Sequence, residues 1–315
     1  MDILCKSAAT NASAAIPVVL VADGKYRIGL EATKASIVAS SAHPERLVFH
    51  EMDETALPAG TLDRFGAYYG SKLPMLRLFL GDILPDEDWV VYADVDTLWF
   101  RDIEELWAER DDRFSLAWCR DLPCMRRSAS RWIRREVDPA FNSANYCCSG
   151  LILMNLRRMR ETHFSERAEK FVAEHGTSPY PDQDVLNVLA AHDSKYLDER
   201  WNVIRFVEGA LEDDVVYHLC GIGRQFGGEP RGRLPQFEAW WNYLAAIRGD
   251  RNLAEKVRRS YSWRLKAAWF AMGVLPLWRI PLPSTIFIDR LRRAMFFSWL
   301  RMRGGFVRNR TLKKP

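Results

Sequence analysis

Residues 89–100, WVVYADVDTLWF, constrain this chain most, because an apolar run stops abruptly at two carboxylates separated by one residue. Val90, Val91 and Tyr92 are β-branched or aromatic and predict a buried strand ending at Asp94 and Asp96. Side chains at i and i+2 of an extended segment point to one side, so both acids face a single point. Two readings of that pair stand side by side. Aspartate after a strand turns or caps the chain. Equally, two oxygen donors aimed at one point suit a divalent cation, which keeps open positions for substrate phosphates.

That strand belongs to an alternating series. Residues 16–22 (IPVVLVA) predict a buried strand that closes at Asp23, Gly24, Lys25 and Tyr26. A helix over 28–39, a strand over 46–52 and a helical stretch over 68–84, stopped by Pro85, come next. After the central strand follow a short helix at 103–110 and strands at 114–119 and 145–155. A single long amphipathic helix is then predicted over 156–175. Residues 181–191 predict a helix with Asp182, Gln183 and Asp184 in its first turn, where acids complement the helix dipole. Residues 215–219 (VVYHL) predict a strand carrying His218, either a hydrogen-bonded core histidine or a ligand. Strands alternating with helices imply an α/β fold with a mainly parallel sheet, whose ligands sit beyond the carboxyl ends of the strands. Asp23 and Asp94 both stand at such ends. No G-x-G-x-x-G follows the first strand and no P-loop occurs, which disfavours a dinucleotide oxidoreductase or a P-loop kinase. Residues 121–144 carry no readable motif. Their arginines (Arg126, Arg127, Arg131, Arg134, Arg135) fit a phosphorylated acceptor or a solvated charged helix equally well.

Charge divides the chain. Residues 251–315 hold 16 Lys or Arg against Glu255 and Asp289, a net of +14, while the whole chain of 315 residues carries only +4 and residues 1–250 therefore −10. The expected organisation is a flexible N-terminus (1–15), a catalytic body (16–250) and a basic tail (251–315). In the tail, Ile288, Leu291, Met295, Trp299 and Met302 recur at helical spacing among arginines, the composition of a helix lying in an anionic membrane surface. Packing of those apolar residues on the body is the other reading. Nucleic-acid binding also uses basic tails, but no nucleic-acid fold accompanies this one, so no such partner is expected. No signal-like segment and no run of 18 apolar residues is present, and the six cysteines form no Cys-x-x-Cys. The expectation is a cytoplasmic protein with reduced thiols, peripheral on the inner face of the cell membrane.

Six motifs in order then carry a resemblance: Asp23-Gly24-Lys25-Tyr26, Arg77-Leu78, Tyr92-Ala93-Asp94-Val95-Asp96, Ser149 to Leu156 (SGLILMNL), Asp182-Gln183-Asp184-Val185-Leu186-Asn187, and His218-x-x-Gly221-x-x-Arg224. Over residues 16–227 the chain resembles the family 8 glycosyltransferases, nearest to bacterial lipopolysaccharide galactosyl- and glucosyltransferases. The resemblance implies a GT-A fold that takes a hexose from a UDP-sugar (UDP-galactose or UDP-glucose) and transfers it with retention to a lipopolysaccharide, glycolipid or oligosaccharide acceptor. By the same resemblance, Asp94, Asp96 and His218 would hold Mn²⁺, with Mg²⁺ as the alternative. Asp23 and Tyr26 would hold the uridine, and Arg77 would serve the nucleotide or sugar side. Gly221 would admit the diphosphate to the backbone, Arg224 would pair its charge, and Asp182 and Gln183 would lie beside the sugar.

Three departures qualify that expectation. Cys148 stands among the donor-binding positions where the family pattern has Asn, and a thiol is a weak donor. Arg224 replaces Lys, and Gly24-Lys25 replace more acidic and amide residues. A membrane-tethered, catalytically silent UDP-sugar-binding protein is therefore the alternative, beside a hexosyltransferase acting on protein or soluble glycan.

Overall fold

The computed structural model describes residues 15–68, 71–204, 211–219 and 235–253. The expected tail helix, Gly221 and Arg224 lie outside the described residues.

A six-stranded sheet forms the centre, in the order β2-β1-β3-β6-β5-β7. Its strands are β1 (Ile16–Val21), β2 (Leu47–Met52), β3 (Trp89–Ala93), β5 (Leu116–Arg120), β6 (Cys147–Asn155) and β7 (Ser194–Tyr196). β2, β1 and β3 run parallel; β6 opposes both β3 and β5; β7 runs parallel to β5. The sheet is thus mixed and mainly parallel, as the alternating pattern predicts. Alternate residues of each strand divide between two buried clusters. Val19, Val90, Tyr92, Leu116, Trp118, Ile152 and Met154 face one side, and Val18, Leu20, Val91, Ala93, Ala117, Leu151 and Leu153 the other. Covering on both faces explains why β1, β3 and β6 read as continuous apolar runs rather than alternating ones.

The first face packs against α5 (Leu156–Glu161), α6 (Phe164–His175) and α7 (Pro181–Leu189); the second packs against α1 (Arg27–Ser40) and α3 (Ile103–Ala108). A third cluster joins α1 to the late helix α8 (Pro235–Arg248) through Trp240, Trp241 and Leu244, and Arg248 donates to both carboxylate oxygens of Glu31 at 3.0 Å. A two-stranded antiparallel sheet, β4 (Thr97–Trp99) with β8 (Val216–His218), lies beside the main one.

The helical stretch expected over 68–84 is not one helix. Tyr68 bridges Ser71, then Leu73–Phe79 forms a 3-10 helix and only Leu80–Ile83 (α2) is α-helical. Pro74 has no N–H to continue a helix begun at residue 68, so the helical turns start afresh at Leu73. The helix expected over 156–175 also divides, because His163 is left-handed (φ 51°) between α5 and α6. The break lets Phe164, Ala168, Phe171 and Val172 turn inward onto the core. Residues 121–144 contain a regular helix, α4 (Pro123–Glu136), with Pro at its first turn, where a missing N–H costs nothing. Its Arg127, Arg131 and Arg135 are exposed. No described helix is long and apolar enough to cross a membrane.

Candidate active site

The site assembles where the main sheet hands the chain to the small one. β3 ends at Ala93, Asp94 N–H donates to Gly150 O of β6 at 2.8 Å, and the chain turns through Asp96 into β4. β8 pairs with β4 so that His218 lies opposite Thr97, one residue past Asp96, and Leu219 N–H closes on Asp96 O at 2.9 Å. Backbone pairing thus delivers a histidine 122 positions beyond Asp96 to the two acids. His218 Nε2 stands 3.2 Å from Asp96 Oδ1 and 3.7 Å from Asp94 Oδ2. One ligand atom from each of the three residues lies within 4.8 Å of the others, the one such group among the described residues. His218 is 4% exposed, and a Cβ on Gly150 would come within 1.9 Å of its Cε1. Glycine at 150 is therefore what admits the imidazole.

This donor set fits a divalent cation. His218 Nδ1 lies 3.0 Å from Asn202 Oδ1, so its Nε2 is the nitrogen left to face the carboxylates. Two hard oxygens and an imidazole make a mixed set suited to Mn²⁺. Burial pushes the Asp94 carboxyl up, Arg77 draws it down and Asp96 pushes it up again, leaving it above the ordinary carboxylate range. A bound cation would offset that cost.

Arg77, 2% exposed, links this corner to α7. Its Nη2 donates to Asp94 Oδ1 and to the Tyr92 hydroxyl, each at 2.7 Å. Nη1 meets Ser149 O at 2.6 Å and Asp182 Oδ2 at 3.1 Å, while Nε donates to Pro74 O at 3.0 Å. The guanidinium lies over the Tyr92 ring, 4.2 Å from its centroid. Burial works against the charge, but Asp94, Tyr92 and Asp182 together outweigh it and hold Arg77 firmly protonated. Four hydrogen bonds to protein groups and the ion pair with Asp182 thus fix the guanidinium. Arg77 thereby bridges two acids, Asp94 and Asp182.

On α7, Tyr180 occupies the N-cap and Asp182 lies inside the first turn, so Asp182 is not the cap. Its Oδ2 accepts from Ser149 Oγ at 2.9 Å. Gln183 Oε1 accepts from Ser149 N–H at 3.0 Å, and its Nε2 donates to Asp121 Oδ2 at 3.1 Å. Asn187, one turn on, clamps β6 by accepting from Cys147 N–H at 2.7 Å and donating to Cys147 O at 2.9 Å. Cys148 is buried with Sγ 3.6 Å from His218 Nδ1. Asp23 and Tyr26 flank the end of β1, the strand beside β3, where Tyr26 N–H donates to Asp23 O at 2.7 Å.

Asp121, Asn202 and Gly150 were not legible as site residues. Asp121 follows the end of β5 as Asp94 follows β3, and that strand-end position was its one signal. Asn202 has none, since only the fold brings it to His218.

Residues 17–216 match the model of glycosyl transferase family 8. The chain belongs to this family. It is 27% identical over 145 residues to the lipopolysaccharide 1,2-glucosyltransferase of Escherichia coli K12, covering 45% of this chain and 42% of that protein. To general stress protein A of Bacillus subtilis it is 24% identical over 196 residues, 56% of this chain and 65% of that protein. To glucoside xylosyltransferase 1 of Mus musculus it is 26% identical over 133 residues, 38% of this chain and 33% of that protein. The chain thus spans between 33% and 65% of the length of these curated relatives. Its fold superposes on the galactosyltransferase LgtC, solved with donor and acceptor sugar analogs, with TM-score 0.58 and 22% identity, over 73% of this chain and 96% of that one. The bifunctional glycosyltransferase WbbM superposes with TM-score 0.61 and 16% identity, over 78% of this chain and 52% of that one. The fold is GT-A, as the resemblance implied.

Proposed function

We propose that this family 8 protein is a retaining, metal-dependent hexosyltransferase. It would move a hexose from UDP-galactose or UDP-glucose to a lipopolysaccharide or other glycolipid acceptor. The observation that carries the reading is the bridge that buried Arg77 makes from Asp94, one member of the Asp94–Asp96–His218 group, to Asp182 of α7. The lipopolysaccharide glucosyltransferase relative supports the acceptor class, and the donor complex of LgtC supports a sugar-nucleotide donor.

Asp94, Asp96 and His218 would hold Mn²⁺, or Mg²⁺ in its place. When bound, the ion supplies positive charge against the diphosphate as UDP leaves. Asp23 and Tyr26 receive the uridine beyond β1, and Cys148 lies among the donor-binding positions, beneath His218. Gly221 and Arg224, outside the described residues, complete the diphosphate contacts in this reading. Asp182 faces the positive charge that develops at the anomeric carbon. Gln183 is no nucleophile, being an amide with its oxygen on Ser149 and its nitrogen on Asp121. Retention then follows from same-face attack. The acceptor oxygen bonds to the anomeric carbon as the carbon–phosphate-oxygen bond breaks, and the departing phosphate takes the acceptor's proton. The body over 16–250 carries this chemistry. The basic residues of 251–315 hold the enzyme to the anionic inner face of the cell membrane, within reach of a lipid-linked acceptor.

A panel of UDP-galactose, UDP-glucose and UDP-xylose, assayed for UDP release with Mn²⁺ or with chelator and with lipid-linked or soluble acceptor, tests the proposal. Metal-dependent turnover of one UDP-hexose onto a lipid-linked acceptor is expected. UDP binding without release from any donor would favour the silent binding protein instead.

A further inference from the structure

We propose that Asn202 is a positioning residue that fixes the hydrogen of His218 on Nδ1, leaving Nε2 as the nitrogen that meets the cation. The proposal rests on the metal reading of Asp94, Asp96 and His218. An amide oxygen carries no hydrogen, so at 3.0 Å from Asn202 Oδ1 the imidazole nitrogen must supply it. Asn202 is 5% exposed and His218 4%, which leaves no room for solvent to compete for the bond. Cys148 Sγ, at 3.6 Å from the same nitrogen, is the weaker and more distant partner.

The backbone holds both residues to one frame. Asn202 closes the 3-10 turn Glu199–Trp201, with its N–H on Glu199 O at 3.1 Å. The next residue, Val203, donates to Val216 O at 2.8 Å and accepts from His218 N–H at 3.0 Å. On its other side the ring lies close against the Gly150 backbone, where a Cβ would come within 1.9 Å of its Cε1. Asn202 Nδ2 has no hydrogen-bond partner among the described residues, so the bond to His218 is what this buried amide offers in return. An amide also orients the ring without adding a third negative charge beside Asp94 and Asp96. Such outer partners of a metal-ligating histidine set its tautomer and direction.

The test uses the full chain. Mn²⁺ binding is followed by electron paramagnetic resonance of the free ion for wild type, Asn202→Leu and Asn202→Asp. The ¹⁵N shifts of the His218 ring are read on the wild-type apoprotein. Asn202→Leu, which removes the acceptor, should weaken Mn²⁺ binding about tenfold to hundredfold. Asn202→Asp, which keeps an oxygen at the same place, should restore most of it. Hydrogen on Nδ1 of wild-type His218 is the expected spectroscopic signature. Wild-type affinity in Asn202→Leu, or a bare Nδ1 in the wild type, would overturn the proposal. The ring shifts decide it even where the leucine variant does not fold. Absence of Mn²⁺ binding by the wild type would instead overturn the metal reading beneath it, a distinct result because no variant is involved.

Discussion

The metal corner and the α7 corner are built from the same kinds of side chain to opposite specifications. At the metal corner, the Asp94 and Asp96 side chains are 27% and 17% exposed and converge on His218, with Arg77 paired to Asp94. At the α7 corner, Asp182, Gln183 and Asn187 are buried, and their polar atoms are taken up by Arg77, Ser149, Asp121 and Cys147. The first holds like charges together in readiness for an ion. The second is a finished hydrogen-bond scaffold that presents groups in fixed positions. Ligand binding should therefore hinge on the first and stability on the second, with Arg77 serving both.

Breaking the bridge should do the most damage. Arg77→Met leaves Asp94 and Asp182 without their shared cation and should cost about 3–5 kcal/mol of stability, as for other broken buried pairs. Chemical denaturation would read that loss, together with abolished turnover. Asp96→Ala should separate the corners: turnover falls on the order of a thousandfold, equivalent to about 4 kcal/mol, through loss of the ion's charge stabilisation. Its denaturation midpoint should stay close to wild type, because the Asp96 side chain is partly exposed and its backbone contact to Leu219 remains. Gly150→Ala should cost about 1–3 kcal/mol of stability by overpacking. Since the added methyl must displace His218, Mn²⁺ titration should also show weakened binding. The smallest effect is expected at Asp121→Asn, which leaves Gln183 Nε2 facing an amide. Loss of the charge on that acceptor should cost about 0.5–1.5 kcal/mol in denaturation, with Mn²⁺ affinity unchanged.

The two corners also differ in how much of each the chain's sequence displays. Asp94 and Asp96 are readable because they end an apolar run, and a strand buried on both faces announces itself by composition alone. His218 is readable only as a histidine on a strand; the pairing of β4 with β8 is what makes it a partner of Asp96. Asp182 and Gln183 are legible as first-turn residues of a helix, where an acid complements the dipole, whereas tertiary contacts to Arg77 and Ser149 assign them inward. Asp121 and Asn202 act across separations of 62 and 16 residues, and no local pattern encodes such contacts. The helix boundaries that periodicity misplaces have local markers: Pro74 starts the stretch before α2 afresh, and the left-handed His163 divides α5 from α6.

The most direct test of the account is a crystal of the intact protein grown with UDP and Mn²⁺, measured at a wavelength where manganese scatters anomalously. The account predicts one strong anomalous peak within bonding distance of Asp94, Asp96 and His218 Nε2, touching the diphosphate and absent from Asp96→Ala. A diphosphate bound with no anomalous peak there, or a manganese held by other residues, would contradict it.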